Sequence, residues 1–328
     1  MSVKHFLHLG ALTKDELDAL IILSQRIKHV RHQKSVFSEA LVGKTLAMIF
    51  ERPSTRTRIS FEVGMQELGG RVLSLTTQEL QLGRGEPLED TAQVLSRYVD
   101  IILLRTSEHT RVEALAASSQ VPVINGLSDI HHPTQVVADL LTILEHKGRL
   151  RDLKIAYVGD AHNNVTHDWL FAAALLGLDF HIAAPEMYGP SPAILQKART
   201  FAASSGARLA LTDDPRAALS NADVVITDVW TSMGREEERD IRLKHLKPYQ
   251  VNEEAMQYAQ EDAIFMHCLP AHRGEEVTKA VMDGPQSVVF DEAENRLHAH
   301  KAILLWLLSG PNIEAFVQDA SVKDKALI

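Results

Sequence analysis

The chain has 328 residues, 45% hydrophobic and 23% charged, an ordinary globular balance at a length too great for one hydrophobic core, so two domains are expected. A formal charge of -9 excludes broad binding to nucleic acid or an anionic membrane surface, since both need clustered positive charge. Cys268 is the only cysteine, which rules out an intramolecular disulfide and points to a reducing compartment. No run approaches the roughly 20 apolar residues of a membrane span. Met1-Ser2-Val3-Lys4-His5-Phe6 lacks the apolar core and cleavage pattern of a secretory leader, so a soluble cytoplasmic protein is expected.

Thr13-x-x-Glu16 is a capping box, and Leu17, Leu20, Ile21, Ile27 and Val30 follow at helical spacing, which predicts an opening helix. Short β-type runs then alternate with longer helical patterns: strand 45–50, helix 54–68, strand 71–75, helix 88–97, strand 99–104, helix 109–118, strand 121–125 and helix 133–147. Lys147-Gly148-Arg149-Leu150-Arg151-Asp152 is a polar break. The alternation resumes with a strand from Lys154 to Gly159 and further strands near 179–183, 207–211, 223–228, 263–267 and 287–290. A last helical pattern runs from Glu292 to Leu308. This alternation is the signature of parallel sheets covered by helices. The expected fold class is α/β in two domains, each a parallel sheet flanked by helices. The first domain is assigned to 1–148 with a returning C-terminal helix of about 296–328, and the second to 149–295.

In open parallel sheets, ligands bind beyond the carboxyl ends of the strands. Each strand end that can be placed carries polar chemistry. After 45–50 come Ser54-Thr55-Arg56-Thr57-Arg58, three hydroxyls and two guanidinium groups at the start of a helical pattern. The first turn of a helix offers unpaired N–H groups and a positive dipole end, so this junction is a candidate anion site. Arg105 follows 99–104, and His131-His132-Pro133-Thr134-Gln135 follows 121–125. In the second series Asn163-Asn164, Asp228 with Ser232-Met233-Gly234, and His267-Cys268-Leu269-Pro270 take the corresponding places. Two sheets facing their carboxyl ends toward one cleft would unite cations and hydroxyls from the first domain with amine-binding groups from the second.

Each motif also has a plainer reading. Ser54 could be a helix cap with solvated arginines beside it, Arg105 a strand terminus reaching water, and His131 and His132 ordinary loop histidines. Asp228 at a strand end could cap a helix, and Cys268 could be a buried, inert thiol. Gly234-Arg235-Glu236-Glu237-Glu238-Arg239-Asp240 reads either as a solvated charged segment or as a closing loop. Gly159-Asp160-Ala161-His162-Asn163-Asn164 lacks the spacing of a dinucleotide turn, and no His or Cys pair has zinc-ligand spacing. No metal and no cofactor is implied.

Taken together the motifs resemble the aspartate/ornithine carbamoyltransferase family. Ser54-Thr55-Arg56-Thr57-Arg58 is similar to its carbamoyl-phosphate signature, and His132-Pro133-Thr134-Gln135 to its second phosphate-side motif. Asp228-Val229-Trp230-Thr231-Ser232-Met233-Gly234 and His267-Cys268-Leu269-Pro270 resemble the elements of its ornithine-using branch. The likeness extends over Gln81-Leu82-Gly83-Arg84-Gly85-Glu86, Asp90-Thr91-Ala92 and Phe290-Asp291-Glu292-Ala293-Glu294-Asn295-Arg296, from about residue 45 to 300.

The resemblance implies transfer of a carbamoyl group from carbamoyl phosphate to the δ-amine of ornithine. It assigns phosphate binding to Ser54, Thr55, Arg56 and Thr57, and the carbonyl oxygen to Arg105, His132 and Thr57. Gln135 and the Leu269 carbonyl take the carbamoyl NH2, Gln81 enters from a neighbouring subunit, and Arg296 is a further carbamoyl-phosphate contact. Cys268, on the carbamoyl side as well, and Asp228 contact the attacking amine, while Asn164, Ser232 and Met233 hold the amino-acid end of ornithine. Arg105, His132, Cys268 and Asp228 are thus the implied catalytic set. The implied partners are the two small substrates and identical subunits in a trimer or multiple of trimers, with no nucleic acid and no membrane. Rival readings are a carbamoyltransferase for aspartate, putrescine or an acylated ornithine, and a non-catalytic anion-binding protein. Aspartate would need a cationic clamp that the Asp228 loop does not offer, and putrescine lacks the carboxylate that Asn164 and Met233 are expected to hold.

Overall fold

The computed structural model describes residues 3–31, 37–76, 80, 85–231 and 236–309. The opening helix α1 (Lys14–His29) starts on the expected capping box, with Thr13 accepting from the Glu16 N–H and Glu16 accepting from the Thr13 N–H at 2.9 Å. Helices α2 (Thr55–Glu67), α3 (Leu88–Leu95), α4 (His109–Ser118) and α5 (Pro133–Lys147) alternate with strands β1 (Thr45–Phe50), β2 (Arg71–Thr76), β3 (Ile101–Arg105) and β4 (Val123–Leu127). These strands form one sheet in the order β2-β1-β3-β4, every pair parallel. β1 and β3 lie inside the sheet and are apolar along almost their whole length, as strands covered on both faces must be.

The second series gives β5 (Lys154–Val158), β6 (Asp179–Ala183), β7 (Arg208–Thr212), β8 (Val224–Ile226) and β9 (Ile264–Met266), a parallel sheet in the order β7-β6-β5-β8-β9. Its helices are α6 (Asn164–Leu176), α7 (Pro192–Ser205), α8 (Pro215–Leu219), α9 (Arg239–Leu246), α10 (Glu253–Met256) and α11 (Lys279–Met282). The long α12 (Val289–Leu308) closes the described chain. Two compact units divide at Leu141/Thr142, inside α5, and again at Ala293/Glu294, inside α12. Among the described residues no helix is long and apolar enough to cross a membrane.

The strand expected at 287–290 is not one. Ser287 makes only an isolated bridge to Phe265, and the chain turns helical at Val289. The β-branched pair Val288-Val289 carries the strand signal, yet Asp291 and Glu292 in the first turn suit a helix N-terminus, and packing of Val289 into the second core overrides propensity. Each unit has its own core. Ala47, Ile49, Leu104, Val112 and Leu115 are among the buried residues of the first, and Val158, Val225, Phe265 and Val277 of the second. Each fully buried aliphatic or Phe side chain contributes about 1.5–3 kcal/mol before entropy is counted.

Strand order fixes where a ligand can sit. In the first sheet the chain runs outward from β1 to β2 on one side and takes up β3 and β4 on the other, so the switch lies between β1 and β3. In the second sheet it lies between β5 and β8. A crevice opens beyond the carboxyl ends at such a switch point.

Candidate active site

Beyond β1, Ser54 is the N-cap of α2, extended at φ -156 and ψ 111, and its hydroxyl accepts from the Thr57 N–H at 3.3 Å. The plain reading of Ser54 as a cap therefore holds, while the helix start it fixes carries the remaining donors. Thr55 is exposed, Arg56 half-buried and Thr57 fully buried. The two guanidinium groups part company here. Arg58 points outward, half-exposed, with Glu62 one turn on at 3.9 Å, and only Arg56 belongs to the buried side.

At the adjacent strand end, Arg105 is buried and aims Nη1 at Thr57 Oγ1 and at the Gly126 carbonyl, both at 3.4 Å. A β-bulge produces this aim: Leu104 pairs with Asn125 but Arg105 with Leu127, so Gly126 is passed over. Gly126 suits the bulge, since a Cβ would come within 2.7 Å of Leu103 Cδ2 and displace that buried side chain. His132, just before α5, is buried, and its pKa lies well below the usual imidazole range. Burial is the largest cause, followed by the positive charges of Arg296 and Arg105, the His300 ring and Arg56. The ring is thus neutral and can donate one N–H to an oxygen without bringing a further cation into a cationic neighbourhood. Gln135, in the first turn of α5, donates Nε2 to Asp139 Oδ1 at 2.8 Å, which turns its carbonyl end away from Asp139 as an acceptor.

Arg296, on α12, is buried and donates Nη2 to Thr57 Oγ1 at 2.7 Å. Two guanidinium groups therefore meet at the Thr57 hydroxyl in the first turn of α2, and their charges, with that of Arg56, act on the neutral His132 ring. One turn further along both helices, His300 Nδ1 lies 2.8 Å from Ser60 Oγ, and Lys301 pairs with Glu67 at the far end of α2 at 2.8 Å. His300 and Ser60 went unnoticed in the sequence. The available signal was their helical phase with Arg296 and Thr57.

The second unit holds the other group of expected residues. Asp228, beyond β8, is buried, and its Oδ1 accepts from the Cys268 thiol at 3.2 Å and from the Val229 N–H at 2.8 Å. No helix starts at Asp228, so the capping reading fails. Burial raises its pKa, opposed by the His267 ring and the two hydrogen bonds. Cys268 is only partly buried, unlike an inert core thiol. The turn that presents it contains a cis Leu269-Pro270 bond, with Leu269 at φ 59.

Two carboxylates missed in the sequence hold this turn. Glu292 accepts from the His267 N–H at 2.9 Å, and Glu276 accepts from His267 Nε2 at 3.1 Å and from the His272 N–H at 2.5 Å. His267 Nδ1 in turn accepts from the Leu269 N–H at 2.9 Å. Asp228, His267 and Cys268 bring ligand-type atoms within 4.8 Å of one another, a grouping that could attract a soft cation. Both ring nitrogens of His267 are already committed to the turn, which leaves only a carboxylate and a thiol, short of a metal's usual complement.

At the β5 end, Asn163 rather than Asn164 caps α6, accepting from Thr166 N–H at 2.8 Å and donating to the Tyr157 hydroxyl and the Asp160 carbonyl, both at 2.6 Å. Asn164 is the first, half-buried residue of the helix. Asp160 pairs with Arg242 of α9 at 2.6 Å, and Arg242 also donates to Glu238 at 2.8 Å, so the charged segment is anchored at that end. Gln81, Ser232 and Met233 lie outside the described residues.

The chain matches both halves of a known family. Residues 4–145 match the carbamoyl-P binding domain of aspartate/ornithine carbamoyltransferase, and residues 151–307 match the Asp/Orn binding domain. A protein named ornithine carbamoyltransferase from Archaeoglobus fulgidus is 54% identical over 306 residues, 93% of this chain and 98% of that one. Another of that name from Caldicellulosiruptor saccharolyticus is 54% identical over 308 residues, covering 94% and 99% of the two chains. The solved ornithine carbamoyltransferase from Pyrococcus furiosus superimposes with a TM-score of 0.90 at 49% identity, over 94% of this chain and 98% of that one. With both domain models matched and relatives alike along almost their full length, the chain belongs to the aspartate/ornithine carbamoyltransferase family.

Proposed function

We propose that this chain transfers the carbamoyl group of carbamoyl phosphate to the δ-amine of L-ornithine, giving L-citrulline and phosphate. The observation that carries the reading is the convergence of Arg296 and Arg105 on Thr57 at the start of α2, beside a neutral His132. Ser54, Thr55, Arg56 and Thr57 with the first-turn N–H groups hold the phosphate and stabilise it as it leaves. Arg105, His132 and Thr57, with Arg296 behind them, donate to the carbonyl oxygen as negative charge grows on it. Gln135 and the Leu269 carbonyl accept from the carbamoyl NH2.

The amine must shed a proton before its lone pair can attack, and a free alkylammonium titrates near about 10.4. Asp228 and Cys268 receive the amine's N–H groups and fix the direction of its lone pair. Asn164, Ser232 and Met233 hold the carboxylate and α-amino end, which separates ornithine from putrescine. As the new C–N bond forms, the C–O bond to phosphate breaks, the electron pair leaves with the phosphate, and the departing phosphate oxygen takes the proton that the amine nitrogen gives up. Reaction in arginine biosynthesis, in the cytoplasm, completes the reading.

A homotrimer, in which Gln81 reaches a neighbouring subunit, is part of the same proposal. The test is carbamoyl phosphate with L-ornithine, L-aspartate, putrescine and N-acetylornithine in separate reactions, reading phosphate release and ureido product. Ornithine is expected to be carbamoylated fastest. A faster rate with any other acceptor, or none with all four, overturns the assignment.

A further inference from the structure

We infer that His300 is a positioning residue for the phosphate cradle, acting through Ser60 to fix the first turn of α2. The inference rests on the reading of that turn as the carbamoyl-phosphate site.

Ser60 Oγ lies 2.6 Å from the Arg56 carbonyl, 3.3 Å from the Thr57 carbonyl and 2.8 Å from His300 Nδ1. A hydroxyl has one proton, and a carbonyl can only accept. The proton of Ser60 therefore goes to the Arg56 carbonyl, and His300 must carry its own proton on Nδ1 and donate it to Ser60 Oγ. The ring has little freedom to do otherwise. It is fully buried and stacked on Phe61, with centroids 3.9 Å apart and planes 14° from parallel.

The far end of this relay is the peptide joining Arg56 to Thr57. Because a peptide is planar, fixing the Arg56 carbonyl also fixes the Thr57 N–H on the opposite side. That N–H belongs to the helix start, where Ser54 also accepts from it at 3.3 Å. One turn back along α12, Arg296 grips the Thr57 side chain at 2.7 Å. α12 thus holds the helix start at two points, through Thr57 Oγ1 and through the backbone behind it. Gly64 lets the helices come this close, since a Cβ there would stand 3.0 Å from Lys301 Cγ. A seam needing only packing would be served by an apolar side chain at 300, because a buried ring N–H costs free energy unless it is bonded.

The experiment compares His300→Leu, Ser60→Ala, their double variant, His300→Asn and Arg56→Ala with the parent in the full chain, varying both substrates and adding inorganic phosphate as inhibitor. The KM for carbamoyl phosphate and the inhibition constant for phosphate are expected to rise about tenfold in His300→Leu and Ser60→Ala. The KM for ornithine is expected to stay within about twofold, and the double variant to match the single ones. His300→Asn, whose amide can donate from near the Nδ1 position, is expected to return within about threefold of the parent. Unchanged carbamoyl-phosphate KM in the folded single variants overturns the inference, as does an equal rise for both substrates or an Asn variant no better than Leu. Ser60→Ala removes one oxygen and decides the matter if His300→Leu does not fold. A raised carbamoyl-phosphate KM in Arg56→Ala beside unchanged relay variants overturns the positioning role alone. An unchanged KM in Arg56→Ala overturns the phosphate assignment and the relay with it.

Discussion

Arg296 and Thr57 stand 239 positions apart in the chain, and their side chains meet at 2.7 Å in a buried contact that Arg105 joins at 3.4 Å. Thr57 Oγ1 is an acceptor for both guanidinium groups. Thr57→Val keeps the shape and removes the acceptor, leaving two buried charged donors short of a bond, at a cost of about 1–3 kcal/mol. Denaturant titration is expected to show that loss, and kcat to fall with it. Thr57→Ser, which keeps the oxygen, is expected to recover most of both. Stability of Thr57→Val equal to the parent would mean that neither arginine depends on this hydroxyl.

The Cys268 thiol donates to Asp228 at 3.2 Å, so the two side chains are coupled rather than independent, including in the amine-binding role proposed for them. Cys268→Ser retains a donor but shortens it and removes the larger sulfur. The KM for ornithine is expected to rise about tenfold, equivalent to about 1.4 kcal/mol, with inhibition by inorganic phosphate unchanged. Asp228→Asn is expected to reduce kcat further, because it removes the charge. A Cys268→Ser variant that shifts phosphate inhibition and leaves ornithine KM alone would move the thiol to the other substrate.

Much of this site was legible because it hangs on strand ends. A polar residue directly after an apolar run is easy to see, and Arg105, Asp228 and Cys268 all announce themselves so. Their supports were not legible. Glu276 and Glu292 bond the His267 turn from later segments; nothing in the local sequence of Glu276 distinguishes it from a solvated carboxylate, and the family likeness around Glu292 does not say what it bonds. Arg296 finds Thr57, and His300 finds Ser60, only once two helices remote in sequence are packed side by side. Arg56 and Arg58 looked equivalent, but two residues on a helix differ by more than half a turn, and this sends Arg58 outward to Glu62. The same limit explains 287–290, where β-branched residues gave a strand signal and tertiary packing gave the start of α12.

His298 is fully buried on α12, and its pKa is lowered from 6.5 to about 3. Burial is the main cause, and Lys28, Lys301 and Arg31 add to it, opposed by Glu67. Glu294 also approaches the ring, at 3.5 Å. A folded-state pKa below the unfolded one means that both states are neutral above about pH 6.5, and only the unfolded chain takes up the proton below it. Stability is therefore present above 6.5 and lost as pH falls toward 3. His132 and His300, also pushed well below the ordinary imidazole range by burial, act in the same direction. Each group contributes a slope of up to about 1.4 kcal/mol per pH unit. Urea unfolding at pH 7, 6 and 5 is expected to show falling stability in the parent and a shallower fall, by about 1 kcal/mol per unit, in His298→Leu. Equal slopes would mean that the ring is solvated and protonated in the folded chain.

Arg242 and Asp160 form an ion pair at 2.6 Å with side chains only 4% and 1% exposed. Burial works against the Arg242 charge, but Glu238 and Asp160 outweigh it and raise its pKa. The guanidinium also donates to the Trp230 carbonyl at 3.1 Å and lies over the Tyr188 ring at 5.0 Å, so it holds the chain on the near side of residues 232–235. Arg242→Leu strands the Asp160 carboxylate in the interior, and removal of one partner from a buried pair costs about 3–5 kcal/mol. At about 2–4 °C per kcal/mol for a unit of this size, the melting temperature is expected to drop by roughly 6–20 °C. Adding Asp160→Asn is expected to recover part of that loss. The amide is uncharged, and its oxygen can still accept from the His162 N–H as Asp160 does at 3.0 Å. The ornithine KM is expected to rise in Arg242→Leu with the carbamoyl-phosphate KM unchanged, because the anchored chain leads from Asp228 toward Ser232 and Met233, the residues proposed to hold ornithine. A melting temperature within about 2 °C of the parent would show that water reaches Asp160, and would remove the basis for the KM effect.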